Sequence, residues 1–151
     1  MRAALIWSTL LPMLIEKQPA TGRPGAATRF TAATPVFLVG NIEAVIPWYA
    51  ALGFEAFYYP PGFCILRRDA IQIFLQHQPG YKRPDEPLRN EREAWDLYIE
   101  TDNVQALFDD FSQMPAVKIL RSLCKQEYGQ IDFETVDPNG YVLVFSQPVN
   151  E

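Results

Sequence analysis

The sequence predicts an α+β domain built from two paired βαβββ modules that form a concave mixed sheet. The first observation behind this is a repeat. The apolar run Pro35-Val36-Phe37-Leu38-Val39 leads into Gly40-Asn41 and a helical stretch ending at Leu52. About sixty residues later, Leu97-Tyr98-Ile99-Glu100 leads into Thr101-Asp102-Asn103 and a helical stretch ending at Phe111. Three strand-like runs follow each helix. The second observation is size: 151 residues, 48% apolar and 13% aromatic, fill one core. A single βαβββ unit is too small to bury its own sheet face. Two such units must pair, and the concave space they leave suits a ligand.

The elements follow in order. Asn41 can cap the first helix by accepting from its early N–H groups. Ile42, Val45, Ile46, Tyr49 and Leu52 recur at helical spacing as the buried stripe. Pro47 removes a donor inside that helix unless it falls in the first turn. Gly53 closes the helix in a left-handed cap. Phe54–Tyr59, Phe63–Arg67 and Ala70–Gln76 read as consecutive antiparallel strands, with Pro60-Pro61-Gly62 and Arg68-Asp69 as turns. In the second half, Trp95–Glu100 is a strand. Asp102 is the expected helix cap, and Val104, Leu107, Phe108 and Phe111 are the buried stripe. Val117–Cys124, Tyr128–Thr135 and Tyr141–Ser146 complete the repeat. Asp137-Pro138-Asn139-Gly140 is a strong hairpin turn, with proline presetting one position and glycine taking the positive φ.

The domain is therefore expected over residues 34–148, as modules 34–77 and 94–148 joined by linker 78–93. The linker is rich in proline and charge and long enough to fold over a cavity mouth; its Lys82, Arg83, Arg89 and Arg92 read as solvated. Residues 1–33 read as an N-terminal extension, either disordered or a loosely packed short helix. Its apolar run Ala3–Ile15 is too short to span a bilayer. A charged pair, Glu16-Lys17, follows it in place of a small-residue cleavage site. The net charge of −5 disfavours nucleic acid, and no basic stripe is visible. Arg67-Arg68 reads as a solvated hairpin tip. Cys64 and Cys124 form no Cys-x-x-Cys pair and read as buried, inert thiols, in keeping with a cytoplasmic protein.

The doubled plan resembles the vicinal oxygen chelate superfamily of glyoxalases, bleomycin-resistance proteins and ring-cleaving dioxygenases. The resemblance rests on the order and spacing of Val39–Ala44, Trp48-Tyr49 with Leu52-Gly53-Phe54, Thr101–Val104 with Ala106-Leu107, and Tyr128-Gly129 followed by Asp137–Gly140. Tyr128-Gly129-Gln130-Ile131-Asp132-Phe133 is similar to the bleomycin-resistance branch. Metal-using members of the superfamily place His, Gln or Glu ligands on four strands. Carried over by motif, those positions here are Thr34, Gln72, Asp96 and Val144. A transition metal needs converging imidazoles or carboxylates, and this set holds one carboxylate and a valine. The lone histidine, His77, ends a strand away from those positions. The resemblance thus implies no metal and no cofactor, and leans away from enzymatic activity.

Alternation along the strands puts Val36, Leu38, Gln72, Phe74, Gln76, Asp96, Tyr98, Glu100, Val142, Val144 and Ser146 on the concave face. With Trp95 as a stacking candidate, the expected ligand-binding residues are Gln72, Phe74, Trp95, Asp96, Tyr98, Glu100 and Val144. Asp96 and Glu100 lie about 13 Å apart along one strand, too far to share a proton. No catalytic residue is assigned. The expectation is a metal-independent protein that binds and sequesters a small organic ligand, aromatic or cationic. It would act as a homodimer, with no nucleic acid or membrane partner, in an antibiotic-resistance role. The alternative is a metal-dependent glyoxalase- or dioxygenase-type enzyme with an atypical ligand set.

Overall fold

The structure is a computed structural model that describes residues 27–84 and 94–150. The N-terminal module runs β1 (Val36–Val39), α1 (Ile42–Ala51), β2 (Glu55–Tyr59), β3 (Phe63–Arg68) and β4 (Ile71–His77). The C-terminal module repeats it as β5 (Leu97–Glu100), α2 (Val104–Ser112), β6 (Lys118–Lys125), β7 (Gln130–Val136) and β8 (Val142–Pro148). Each module forms its own four-stranded mixed sheet, ordered β1-β4-β3-β2 and β5-β8-β7-β6. In each, the first strand pairs parallel to the fourth and the others are antiparallel. The α+β fold of paired βαβββ modules is as the repeat predicts.

The helix caps show how local sequence sets the repeat. Asn41 accepts from Ala44 N at 3.1 Å, and Asn103 accepts from Ala106 N at the same distance. The expected cap Asp102 is displaced by its neighbour Asn103, whose side chain reaches back into the first turn. Pro47 lies in the interior of α1, so Glu43 O loses its usual helical donor there. Gly53 and Gly140 take positive φ, 84° and 91°, as the cap and the hairpin turn require.

Alternation buries one face of each sheet. Phe37, Val39, Cys64, Leu66, Ile73 and Leu75 point to the helix side of the first sheet. Ile99, Phe133, Leu143 and Phe145 do so in the second. The modules meet through these helix-covered sides, and one core runs through both. Phe37 stacks on Tyr141 with centroids 4.1 Å apart. Trp48 Nε1 donates to Ala116 O at 3.1 Å, and Tyr49 Oη to Asp137 Oδ2 at 2.8 Å. Tyr141 Oη and Asn139 Nδ2 both donate to Leu38 O, on the outer edge strand of the first sheet. The Asp137–Gly140 turn is therefore a junction as well as a hairpin: Asp137 Oδ1 accepts from Asn139 N and Tyr141 N. Burial pushes the Asp137 carboxyl upward, against the pull of its hydrogen bonds, and burial with Asp137 pushes the Tyr49 hydroxyl well up.

Several expectations are corrected. Arg83 is buried beside Asp96, its Nε 2.8 Å from Asp96 Oδ2, although the Nε–H is not aimed at that oxygen. Arg89 and Arg92 lie outside the described residues, as does most of the N-terminal extension. Arg68 is held by donating to Leu52 O at 2.6 Å, so that part of the hairpin tip is anchored. Cys64 is buried, but Cys124 is exposed and accepts from Arg121 Nη1 at 3.0 Å. Cys124 pairs with Asp132 across the ladder and so shares its face, away from the core. Among the described residues no helix is long and apolar enough to cross a membrane.

Candidate functional site

The sheet faces opposite the helices are the candidate site, and the two differ in kind. On the N-terminal module, cross-strand register aligns Phe57, Ile65, Phe74 and Val36 in one row. Tyr59, Phe63, Gln76 and Leu38 form the next, and Glu55, Arg67 and Gln72 the third. This face is apolar and open: Val36 is 50% exposed, Phe57 41% and Tyr59 58%. Phe63 meets Phe74 edge-on at 5.1 Å, and Arg67 lies over the Phe57 ring at 5.2 Å. Gln72 is engaged at both ends. Its Oε1 accepts from Arg67 Nε at 2.8 Å, and its Nε2 donates to Thr34 Oγ1 at 3.1 Å.

On the C-terminal module the corresponding face is acidic and closed over. Register aligns Tyr98, Val144 and Glu134 in one row and Glu100, Ser146 and Asp132 in the next. Arg121, on β6, lies opposite Glu134. Its Nε and Nη2 donate to Glu134 Oε1 at 3.1 and 2.9 Å, and Nη2 donates to Asp132 Oδ1 at 2.8 Å. Gln126 Nε2 also donates to Asp132 Oδ1 at 2.9 Å, and Tyr128 Oη donates to Asp132 Oδ2. Trp95 Nε1 donates to Glu134 Oε1 at 2.8 Å, and the Trp95 ring lies 5.5 Å from Tyr98. Asp132 and Glu134 are buried, so each needs these donors. Burial alone would lower the Arg121 guanidinium; Asp132 and Glu134 override it and hold it well above its ordinary value. Burial and then the bond to Asp132 push the Tyr128 hydroxyl well up.

The predicted residues fall as follows. Gln72 and Phe74 stand on the N-terminal face; Trp95, Tyr98 and Glu100 stand on the C-terminal face, with Tyr98 and Glu100 exposed. Val144 is fully buried beneath that second group and offers no surface of its own. The Asp96 carboxylate is turned to the module junction. It accepts from Val142 N at 2.8 Å and faces Arg83. Sequence reasoning missed Asp132, Glu134, Arg121 and Tyr128 as a group. The signal was present: alternation applied to β7 puts Asp132 and Glu134 on the face of Val144.

A metal at the motif positions does not fit these donors. Thr34 and Gln72 are bonded to each other, Asp96 is occupied, and Val144 has no ligating atom. His77 Nε2 sits 3.1 Å from Gly40 O, where it donates rather than ligates. No group of three or more His, Cys, Asp or Glu converges among the described residues. A cleft of about 730 Å³ lies between the modules along Leu52, Arg67, Arg68 and Phe111.

No protein-family model and no curated protein matches the sequence. Solved structures do. A bleomycin-binding protein complexed with bleomycin superposes with a TM-score of 0.62 at 22% identity, over 81% of this chain and all of that one. The bleomycin-binding protein of bleomycin-producing Streptomyces verticillus, complexed with copper(II)-bleomycin, gives 0.58 at 20% identity, over 82% and 99%. A glyoxalase/bleomycin resistance protein/dioxygenase from Alicyclobacillus acidocaldarius gives 0.63 at 13% identity, over 80% and 92%. The chain shares the paired-module fold of these structures, along nearly the whole length of the bleomycin-binding proteins.

Proposed function

We propose that the protein binds and sequesters a small, flat organic molecule with apolar rings and positive charge, without a metal and without chemical conversion. The reading has the protein acting as a cytoplasmic homodimer. The open N-terminal face of one copy covers the acidic C-terminal face of the other, and each of the two grooves so formed takes one ligand. The observation that carries the reading is the contrast between the two faces. A bare, largely apolar surface, Val36, Phe57 and Tyr59, is costly to leave in water and asks for a cover. The other face offers Trp95 and Tyr98 for stacking over buried carboxylates. Sequestration needs buried area and charge complementarity, and no activated nucleophile or Lewis acid. The bleomycin-binding neighbours support this reading, and an antibiotic-resistance role follows if the ligand is an antibiotic of that kind.

Isothermal calorimetry with metal-free bleomycin and with ethidium, a planar aromatic cation, tests it. Binding of either in the micromolar range or tighter, at one ligand per chain, is expected. Absence of heat for both at high micromolar concentration would remove this ligand class. A stoichiometric divalent ion retained through purification would instead favour the enzyme alternative.

A further inference from the structure

The ladder between β6 and β7 slips on both sides of Arg121. Ile119 pairs with Thr135, yet the next pair is Arg121 with Glu134, so Leu120 is an extra residue. The following pair is Cys124 with Asp132, so a second extra residue lies between Arg121 and Cys124. Regular pairing from Ile119 would set Leu120 opposite Glu134 and turn Arg121 to the core side. The bulges instead aim the guanidinium between Asp132 and Glu134 and leave Leu120 43% exposed. Ile119 and Leu123 still pack against the core on either side.

The consequence is electrostatic. Asp132, Glu134 and Arg121 together carry one net negative charge, in a setting where water screens weakly. Glu100, on the same face, is exposed and contributes through solvent. Asp132 is saturated by Arg121, Gln126 and Tyr128, and Glu134 Oε1 by Arg121 and Trp95. We propose that Arg121 is the specificity-determining residue of this face, setting it to accept a singly charged aromatic cation in preference to a doubly charged one. The inference rests on the sequestration reading above and adds the ligand's charge to it. A single cation stacked on Trp95 and Tyr98 neutralises the buried charge. A second positive charge is left uncompensated beside the Arg121 guanidinium.

Ethidium and propidium share one ring system and differ by one positive charge, so their affinity ratio reads this property. Arg121→Gln is expected to shift the ratio at least tenfold towards propidium. Adding Asp132→Asn to it restores a single negative charge, and the ratio is expected to return to within threefold of wild type. Should Arg121→Gln fail to fold, Asp132→Asn alone brings the group to neutrality; both dyes then weaken, propidium the more. An unmoved ratio in folded Arg121→Gln, or equal loss of both dyes in Asp132→Asn, overturns the inference while leaving sequestration standing. Wild-type protein that binds neither dye overturns the inference, and sequestration falls with it only where metal-free bleomycin also gives no heat.

Discussion

The two modules share a topology and differ in what they do with the exposed sheet face. The N-terminal face is aromatic and open, its cation Arg67 lying on Phe57 and hydrogen-bonded to Gln72. The C-terminal face buries two carboxylates and spends a guanidinium, a phenol, an amide and an indole on satisfying them. A repeated βαβββ frame fixes where side chains point, and only the residues at alternate strand positions decide the chemistry. One frame thus supplies an apolar wall and a charged wall.

The contrast can be broken most forcefully at the two arginines. Arg121→Leu strands two buried carboxylates and should cost about 3 to 5 kcal/mol in urea unfolding. Arg67→Leu, at an exposed pair, should cost less than about 1 kcal/mol. Similar losses at both positions would refute the distinction between a closed and an open face. Next in size is the junction. Tyr49→Phe removes the hydroxyl from Asp137 and should destabilise the fold by about 1.5 to 3 kcal/mol, the range for hydrogen bonds to charged groups.

A smaller, pH-dependent effect sharpens the same point. The Asp137 carboxyl is raised above its ordinary 3.8, first by burial. Between 3.8 and its folded value the native state binds the extra proton, so its contribution grows as pH falls and is lost as pH rises through the folded value. The urea midpoint of wild type relative to Asp137→Asn should therefore increase as pH is lowered from neutral towards 4. A difference that is flat or decreasing would contradict the assignment. The smallest stability change is expected at the open face. Phe57→Ser with Tyr59→Ser should stay within about 0.5 kcal/mol of wild type in urea, yet weaken ligand binding and self-association tenfold or more.

Much of this was legible in the sequence because period and turn chemistry are local. The doubled strand–helix pattern, the Asn41 cap and the Asp137–Gly140 turn each follow from neighbouring residues. The face assignments of Phe74 and Tyr98 also follow from simple alternation. What escaped depends on distant partners. Arg83 read as a solvated linker residue because nothing nearby in sequence announces Asp96. Asp102 read as the cap because aspartate and asparagine compete on nearly equal terms there. Arg121 was hidden by the bulge at Leu120, since alternation counted along an unbroken β6 would place Leu120 where Arg121 stands.

Native mass spectrometry of the full chain with ethidium tests the central claim most directly. The account predicts a complex of two chains carrying two ligands, lost together when the open aromatic face is made polar. A single chain that binds one ligand unaided, or a dimer that binds none, would contradict it.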